Sequence, residues 1–343
     1  MVDELTEQLM VGRLKSSSSL KNTDILIAGA GIIGLSLALE LHARGASVTV
    51  LERDTALSHA STAAAGMLAA EDPHNPPALL PLSRLSISLY PAFLQRIESL
   101  SNLTVPYQTD TTLQYLPNGS TLRLAERSLD PRQLAPALLA AVRATSINLR
   151  EHTEVQSCDE HLHIKTATSE FSPSKFISTI GAWAQPHTRP IKGQMLRVQL
   201  PAGFTLHEVH RSEHIYIVPR TQGPQAGTAL LGATVEDAGF DRSTHHADLN
   251  RLRQLAAELL PEFASADDTP QVETWAGLRP ATTDSLPVLG ASPQNSANFL
   301  ATGHFRNGIL LAPATAVVMA DLLEGKAPVV DLNPFSPQRF ATA

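Results

Sequence analysis

The clearest hydrophobic pattern in the chain begins at residue 24. The short apolar run at residues 25–28 predicts a strand that is buried on both faces. After a glycine-rich turn, an apolar stretch from about residue 33 to residue 43 predicts a helix that ends at Gly45. A second apolar run then closes at Glu52. This order of strand, turn, helix and strand predicts a βαβ unit with parallel strands.

The turn of this unit carries three glycines at a fixed spacing. Gly29 permits the tight turn, Gly31 lets backbone N–H groups approach a pyrophosphate, and Gly34 lets the helix pack closely on the strand. The carboxylate of Glu52 can accept hydrogen bonds from both ribose hydroxyls of an adenosine, and it disfavours a 2′-phosphate. These features predict a dinucleotide site, and on their own they leave NAD and FAD both open.

Four further helices and several strands are predicted after Glu52. A Pro-rich joint at residues 72–77 opens a helical segment to about residue 100, which Pro91 interrupts. Asp130 is the predicted N-cap of a helix that starts with Pro131 and runs to about residue 145. Two more helices are predicted over residues 248–260 and from the turn at 303–308 to residue 323. Strand patterns occur at residues 147–150, 161–166, 175–180, 194–200, 214–219, 229–234 and 299–302.

The strand-rich region at residues 191–232 indicates a mostly antiparallel sheet, and it falls between two parts of the nucleotide-binding pattern. We therefore predict an α/β fold with two interleaved domains. A Rossmann-like domain is expected over residues 23–75, 122–187 and 280–335, and an α+β substrate domain over residues 76–121 and 188–279. Residues 1–22 are polar and charged, with a serine run, and we expect a flexible extension there.

Composition and charge exclude several classes of protein. The 343 residues include 26 Lys and Arg against 33 Asp and Glu, a net charge of −7, with a pI near 6.0. This balance disfavours nucleic acids and anionic membranes as partners. The lack of a signal-peptide pattern and of a membrane-length apolar stretch predicts a cytoplasmic protein. The single cysteine, Cys158, excludes an intrachain disulfide, and no Cys/His spacing predicts a metal site.

Seven blocks, in order, carry a resemblance to a known family. They are residues 27–34, 62–68, 180–183, 192–194, 216–220, 275–280 and 303–313. From residue 24 to about residue 325 the chain resembles the FAD-dependent amine and D-amino acid oxidases, and most closely the glycine oxidases of the thiamine-thiazole pathway. The resemblance implies a glutathione-reductase-type FAD-binding domain. It also implies noncovalent FAD, because block 303–313 lacks the cysteine that tethers FAD in sarcosine-oxidase relatives.

The resemblance implies roles for individual residues as well. Arg279 is expected to hold the substrate carboxylate with help from Tyr216, and Arg306 to contact the substrate near the flavin. No side chain is expected to be a catalytic acid or base, because the flavin carries the redox step. The expected FAD-binding residues are Gly29, Gly31, Ile32, Ile33, Gly34, Glu52, Arg53, Ser61, Thr62, Gly66, Met67, Leu68, Val155, His304, Phe305, Arg306, Asn307, Gly308, Ile309 and Leu310.

The reaction implied by the resemblance is the oxidation of glycine, other small amines or small D-amino acids. The Cα hydride passes to flavin N5, O₂ takes the electrons to form H₂O₂, and the imine hydrolyses to a 2-oxo acid and ammonia. A homotetramer is also expected. Three alternatives stay open: a D-amino acid or imino acid dehydrogenase with a quinone acceptor, a nucleotide sensor without turnover, and a flavin-dependent RNA-modifying enzyme. The carboxylate clamp disfavours the sensor, and the absence of a basic patch disfavours the RNA-modifying enzyme.

Overall fold

A computed structural model of the chain describes residues 24–340. The predicted extension at residues 1–22 lies outside the described residues. The helices are α1 (Ile32–Ala43), α2 (Ala60–Ala63), α3 (Leu80–Ser101), α4 (Pro131–Arg143), α5 (His246–Leu259) and α6 (Gly308–Leu323). The strands are β1 (Asp24–Ala28), β2 (Ser47–Leu51), β3 (Tyr107–Thr109), β4 (Thr112–Tyr115), β5 (Thr121–Leu124), β6 (Ser128–Leu129), β7 (Asn148–Arg150), β8 (Ser157–Cys158), β9 (Ile164–Lys165), β10 (Glu170–Phe171), β11 (Lys175–Ser178), β12 (Arg189–Gln199), β13 (Val209–Arg211), β14 (Tyr216–Arg220), β15 (Thr228–Gly232), β16 (Gln271–Ala281), β17 (Val288–Ser292) and β18 (Asn295–Thr302).

The first sheet is the α/β layer that the βαβ pattern predicts. Its six strands run in the order β17-β18-β11-β1-β2-β7, and every neighbouring pair except β17 and β18 is parallel. β1 is central, with Ile27 opposite Val50 of β2 on one side and Ile177 of β11 on the other. All three side chains are fully buried, as expected of parallel strands covered on both faces. The Rossmann-like fold class is confirmed.

The second sheet has seven strands in the order β16-β12-β15-β14-β13-β4-β5. All pairs are antiparallel except β13 with β4, so the predicted mostly antiparallel sheet is confirmed. Its longest pair joins β12 and β16, two strands of 11 residues each. The sequence pattern predicts no strand over residues 271–281. Glycine and proline within that segment lower its strand propensity. The segment forms a strand because its extended pairing with β12 outweighs this low propensity.

The chain alternates between the two sheets, which is the interleaving that the sequence predicts.

Helix α3 departs from the prediction in two ways. It runs through Pro91 without a break, and its buried face lies in the core that α1 and α6 share with the six-stranded sheet. Pro91 lies on the exposed face, where burial of residues such as Tyr90 and Ile97 offsets the lost backbone hydrogen bond. The domain boundaries stay a prediction, and we propose to count residues 80–101 with the nucleotide-binding core.

Two smaller sheets complete the fold, β10-β9-β8 and β3-β6. Between residues 24 and 340, every helix is too short or too polar to cross a lipid bilayer.

Candidate functional site

A cavity of about 550 Å³ lies between the two sheets. Glu52, at the carboxyl end of β2, lines one end of it, and Arg279 on β16 lines the other. The N-termini of two helices, α1 and α6, also border it. The cavity therefore offers two helix N-termini and a charged group at each end. This is the arrangement that a long anionic ligand with a distinct head and tail requires.

The turn from β1 to α1 is packed tightly against the protein's own backbone. A Cβ at Gly34 would lie 2.0 Å from the carbonyl oxygen of Gly29, and a Cβ at Gly29 would lie 2.7 Å from that of Thr179. Gly29 also has a φ of 101°, a backbone conformation that favours glycine. Ile32 in the first turn of α1 donates its N–H to Ser61 Oγ at 2.9 Å. The Ser61 hydroxyl can then donate to an anion at this helix end.

The carboxylate of Glu52 is held by the backbone. Its Oε2 accepts the Ala30 N–H at 2.7 Å and its Oε1 accepts the Asp54 N–H at 2.9 Å. Each oxygen keeps acceptor capacity for a further donor, such as a ribose hydroxyl. Val155 lines the cavity beside it. This end therefore suits an adenosine.

The middle of the cavity is lined by the backbone of residues 63–67. Trp275 Nε1 donates to the Ala63 carbonyl at 3.0 Å, and the buried Arg220 donates from Nη2 to the Ala65 carbonyl at 2.9 Å. Gly66 has a φ of 89°, and a Cβ there would lie 2.0 Å from the Leu129 carbonyl oxygen. Side chains of the second sheet therefore hold this small-residue segment in place along the cavity.

The N-terminus of α6 also lines the cavity. Helix α3 holds it in place, because Tyr90 Oη and Ser86 Oγ donate to the Ile309 and Leu310 carbonyls at 2.5 and 2.6 Å. His304 is buried just before the helix, with Nε2 at 3.0 Å from Thr315 Oγ1. Burial lowers the pKa of His304 to about 3, so the imidazole is neutral near pH 7. The positive end of the helix dipole favours negative charge on a ring placed here.

Arg279 and Tyr216 meet at the far end of the cavity. Arg279 Nη1 donates to the Thr234 carbonyl at 3.0 Å, and its guanidinium occupies space that a Cβ at Gly193 would fill, at 2.2 to 2.4 Å. Burial lowers the pKa of Arg279 and raises that of Tyr216, and each of the two groups counteracts the shift of the other. The result is a cation with a neutral phenol beside it, which can bind a carboxylate.

The sequence matches one protein family along most of its length. A model of the DAO family, described as FAD dependent oxidoreductase, matches residues 24–128 and 106–322. The chain belongs to the DAO family of FAD-dependent oxidoreductases. FAD is therefore the dinucleotide of this site, and the choice between NAD and FAD that the glycine motif left open is decided.

Several characterised proteins are similar to this DAO-family chain. It is 31% identical to the glycine oxidase of Geobacillus kaustophilus over 92% of this chain and 97% of that protein. It is 35% identical to the bifunctional protein ThiO/ThiG of Trichormus variabilis over 92% of this chain, but this alignment spans only 55% of that longer protein. The crystal structure of the Geobacillus kaustophilus enzyme superposes with a TM-score of 0.85, at 27% identity, covering 92% of this chain and 98% of that one.

The residues of this DAO-family chain fit FAD along the whole cavity. Glu52 suits the ribose, the open N-terminus of α1 suits the pyrophosphate, and the wall at residues 63–67 suits the isoalloxazine ring. Most of the predicted FAD-binding residues line the cavity: Gly29, Gly31, Ile32, Ile33, Glu52, Arg53, Ser61, Gly66, Met67, Val155, His304, Phe305, Arg306, Asn307, Gly308 and Ile309. Their contacts with FAD stay predictions.

Four predicted residues do not line this cavity. Gly34 packs against Gly29, which supports the turn from behind. Thr62 faces the other side of its short helix and donates its hydroxyl to the Leu57 carbonyl at 2.9 Å. The side chains of Leu68 and Leu310 are buried in the hydrophobic core. Successive residues of a helix point in different directions, so a block match alone also selects residues that face away from the cavity.

Sequence reasoning also missed residues that line the cavity. Trp183 lies in a matched block and lines the cavity, where Arg53 stacks over its ring at 4.5 Å. Gly193 lies in another block, and no local signal shows that it makes room for Arg279. Asp72 and Arg211 lie outside every matched block. Long-range packing brings the last two together, and residue spacing carries no signal of that packing.

A cluster of possible metal ligands within residues 24–340 consists of Glu52, Asp54 and His59. His59 Nε2 lies 2.7 Å from Asp54 Oδ2, and Glu52 accepts the two backbone N–H groups described above. These contacts account for the cluster without an ion. We therefore retain the interpretation of Glu52 as a ribose ligand.

Proposed function

We propose that this chain oxidises glycine, and other small amines or small D-amino acids, by FAD-dependent oxidative deamination. The observation that carries the proposal is the pair formed by Arg279 and Tyr216 at the end of the FAD-binding cavity opposite Glu52. The similarity to glycine oxidases along nearly the whole chain supports the choice of substrate. The roles of individual residues in binding the substrate and FAD are part of this proposal.

Bound FAD supplies a two-electron acceptor for the hydride of the substrate Cα, and O₂ then accepts the electrons to form H₂O₂. With glycine as the neutral amine, loss of two electrons and two protons gives the imine, and water converts it to glyoxylate and ammonia. The protein's part is to hold the substrate. The planar guanidinium of Arg279 can form two parallel hydrogen bonds with the carboxylate, which fixes Cα as well as binding it.

Tyr216 adds a neutral donor to this clamp. Its Oη lies 2.9 Å from Met195 Sδ, a weak acceptor that a carboxylate oxygen can replace. Gly232 makes room for the ring, since a Cβ there would lie 2.7 Å from the phenol oxygen. Burial lowers the pKa of His304 to about 3, so its imidazole is too weak a base to take a proton from the substrate near pH 7. The chain therefore orients and desolvates the substrate and leaves the redox step to FAD.

The test is a product balance with purified, FAD-loaded protein in air. Glycine consumption should equal O₂ consumption, and each glycine should yield one H₂O₂, one glyoxylate and one ammonia. D-Proline and D-alanine serve as competing substrates, and a soluble quinone serves as a competing acceptor. Turnover that requires the quinone and consumes no O₂ would replace the oxidase proposal with the dehydrogenase alternative. Absence of turnover with every amine would contradict the proposal.

The homotetramer, the noncovalent linkage of FAD and a role in thiamine synthesis come from the resemblance, and the cytoplasmic location comes from the sequence pattern; all stay predictions. Light scattering on the holoprotein tests the assembly. Release of FAD by acid or heat, followed by separation from the protein, tests the linkage.

A further inference from the structure

A group of charged side chains also lines the cavity near the Arg279 clamp. Asp72 Oδ2 lies 3.7 Å from Arg211 Nη1 and 3.9 Å from Arg306 Nη2. Arg211 Nη2 lies 3.1 Å from Glu126 Oε2. We call Asp72, Glu126, Arg211 and Arg306 the outer charge cluster. Asp72, Arg211 and Arg306 line the cavity, and Glu126 lies behind them.

The cluster is built into the fold and is largely shielded from solvent. The side chains of Arg211, Glu126 and Asp72 are 4%, 3% and 11% exposed. Arg211 Nε donates to Gln114 Oε1 at 2.5 Å across the parallel pair β13 and β4. The Glu71 N–H donates to the other oxygen of Glu126 at 3.0 Å. These contacts hold the charges in fixed positions.

The formal charges of the cluster balance, with two guanidinium groups against two carboxylates. Burial raises the pKa of Asp72, but Arg211 and the His74 N–H lower it more, so Asp72 stays ionised at neutral pH. Arg306 is 37% exposed and is the cluster's cation nearest the clamp, close enough to lower the pKa of Arg279. Its charge, however, is shared with Asp72. Arg211 Nη1 and Nη2 have no hydrogen-bond partner among the described residues, but the cluster as a whole carries no net positive charge for a second substrate carboxylate.

We propose that Asp72 determines substrate specificity by excluding amino acids with a second carboxylate from the outer end of the cavity. This inference rests on the proposed function, because it takes Arg279 as the site of the first carboxylate. A second carboxylate directed at Arg306 would also meet Asp72, and like charges in a shielded site repel strongly. Uncharged substituents on nitrogen or Cα meet no such repulsion. The preferred substrates are then monocarboxylates such as glycine and N-alkyl glycines.

Two ethers that cannot be oxidised provide a matched pair of probes. Methoxyacetate has one carboxylate, and diglycolate has the same skeleton with two. Binding is measured for the holoprotein as a perturbation of the flavin absorption spectrum, at fixed pH and ionic strength. Wild-type protein should bind methoxyacetate more tightly. Equal or tighter binding of diglycolate by the wild type would overturn the proposal without any variant.

The variant Asp72→Asn keeps the shape of the side chain and removes one negative charge. It leaves one guanidinium uncompensated, so the ratio of the two dissociation constants should shift toward diglycolate by about tenfold or more. The control is Glu213→Gln. Glu213 is an exposed carboxylate that lines the same cavity, and the change in charge is identical.

Glu213→Gln should leave the ratio at the wild-type value, since an exposed charge is screened by solvent. An equal shift in both variants would show a general effect of charge and would overturn the role of Asp72. An unchanged ratio in Asp72→Asn would overturn it as well. The wild-type probe ratio can be measured whether or not glycine reduces the flavin. Failure of the proposed function is therefore distinguishable from failure of this inference.

Discussion

In the proposed function, Arg279 supplies a positive charge for the substrate carboxylate and Tyr216 supplies a neutral hydrogen-bond donor. Arg279 remains a cation although burial lowers its pKa, because the guanidinium group starts from a very high value. Burial raises the pKa of Tyr216, so the phenol keeps its proton under all ordinary conditions. The clamp therefore has the same charge across the neutral and mildly alkaline range.

The variant Tyr216→Phe removes the phenol donor and keeps the ring. A hydrogen bond to a charged group contributes about 1.5 kcal/mol or more, so KM for glycine should rise about tenfold. Because substrate and transition state carry the same carboxylate, kcat should change little. Steady-state kinetics checks this, with FAD content as the control for folding. A loss of kcat at constant KM would contradict the assigned role.

His304 should make the protein sensitive to acid. The pKa of His304 is about 3 in the folded protein and about 6.5 in the unfolded chain, so between these values only the unfolded chain binds the proton. The free energy of unfolding therefore falls as the pH falls below about 6.5. This one group accounts for a slope of about 1.4 kcal/mol per pH unit.

The variant His304→Gln should flatten that slope while keeping a partner for Thr315. Urea unfolding of both proteins at about pH 6.5 and pH 4.5, at one FAD concentration, measures the difference. Parallel losses of stability in the two proteins would contradict the buried, neutral state of His304.

At the scale of elements, the pairing of β12 with β16 builds the clamp. Ile191 lies opposite Arg279 in the register, and Gly193 lies opposite Gly277, so Arg279 and Gly193 are diagonal neighbours. The Arg279 guanidinium crosses over Gly193, where any Cβ would lie within 2.4 Å of it. The position of the guanidinium is therefore set by a missing side chain on the neighbouring strand.

The variant Gly193→Ala should displace the guanidinium while leaving the strand pairing intact. We expect a fall in kcat/KM for glycine of at least tenfold, because misplacement of Cα by about 1 Å costs catalytic rate. A double-mutant cycle with Arg279→Met isolates the cause. Gly193→Ala should have little further effect once Arg279 is gone. Additive losses in the double variant would contradict the proposed contact.

Many of the helices and strands could be predicted from the sequence. The patterns for β1, α1, β2 and α6 are strong because apolar runs and glycine punctuation coincide there. Pro91 was wrongly predicted to interrupt a helix, since the packing of α3 against the first turn of α6 has no local signal. The contact between Gly193 and Arg279 depends on register, and residue spacing does not encode register.

At the scale of the whole molecule, the cavity needs both sheets. The six-stranded sheet and α1 supply the adenosine and pyrophosphate end, and the seven-stranded sheet supplies Arg279 and Tyr216. Residues far apart in sequence, such as Asp72 and Arg211, meet only through this arrangement. Sequence blocks found the family, and 16 of the 20 predicted FAD-binding residues line the cavity. The outer charge cluster required the structure.

Removal of FAD should destabilise the whole chain, because the cavity that would hold the cofactor is lined by elements of both sheets. A ligand that binds only the folded state, at 100 times its Kd, adds about 2.7 kcal/mol of stability. The apoprotein should therefore unfold at a lower temperature than the holoprotein, and added FAD should restore the transition in a concentration-dependent way. ADP, which resembles only the adenosine and pyrophosphate part, is the control and should restore less. A melting temperature independent of FAD would contradict the shared site.

The central claim is that Arg279 holds the carboxylate of glycine while the bound flavin oxidises it. Anaerobic mixing of holoprotein with glycine, followed by the visible absorbance of the flavin, tests this most directly. We expect rapid bleaching in the wild type, and in Arg279→Met a loss in the apparent second-order rate constant of about a hundredfold, equivalent to about 3 kcal/mol. Bleaching of the variant at the wild-type rate, or no bleaching of the wild type by glycine, would contradict the account.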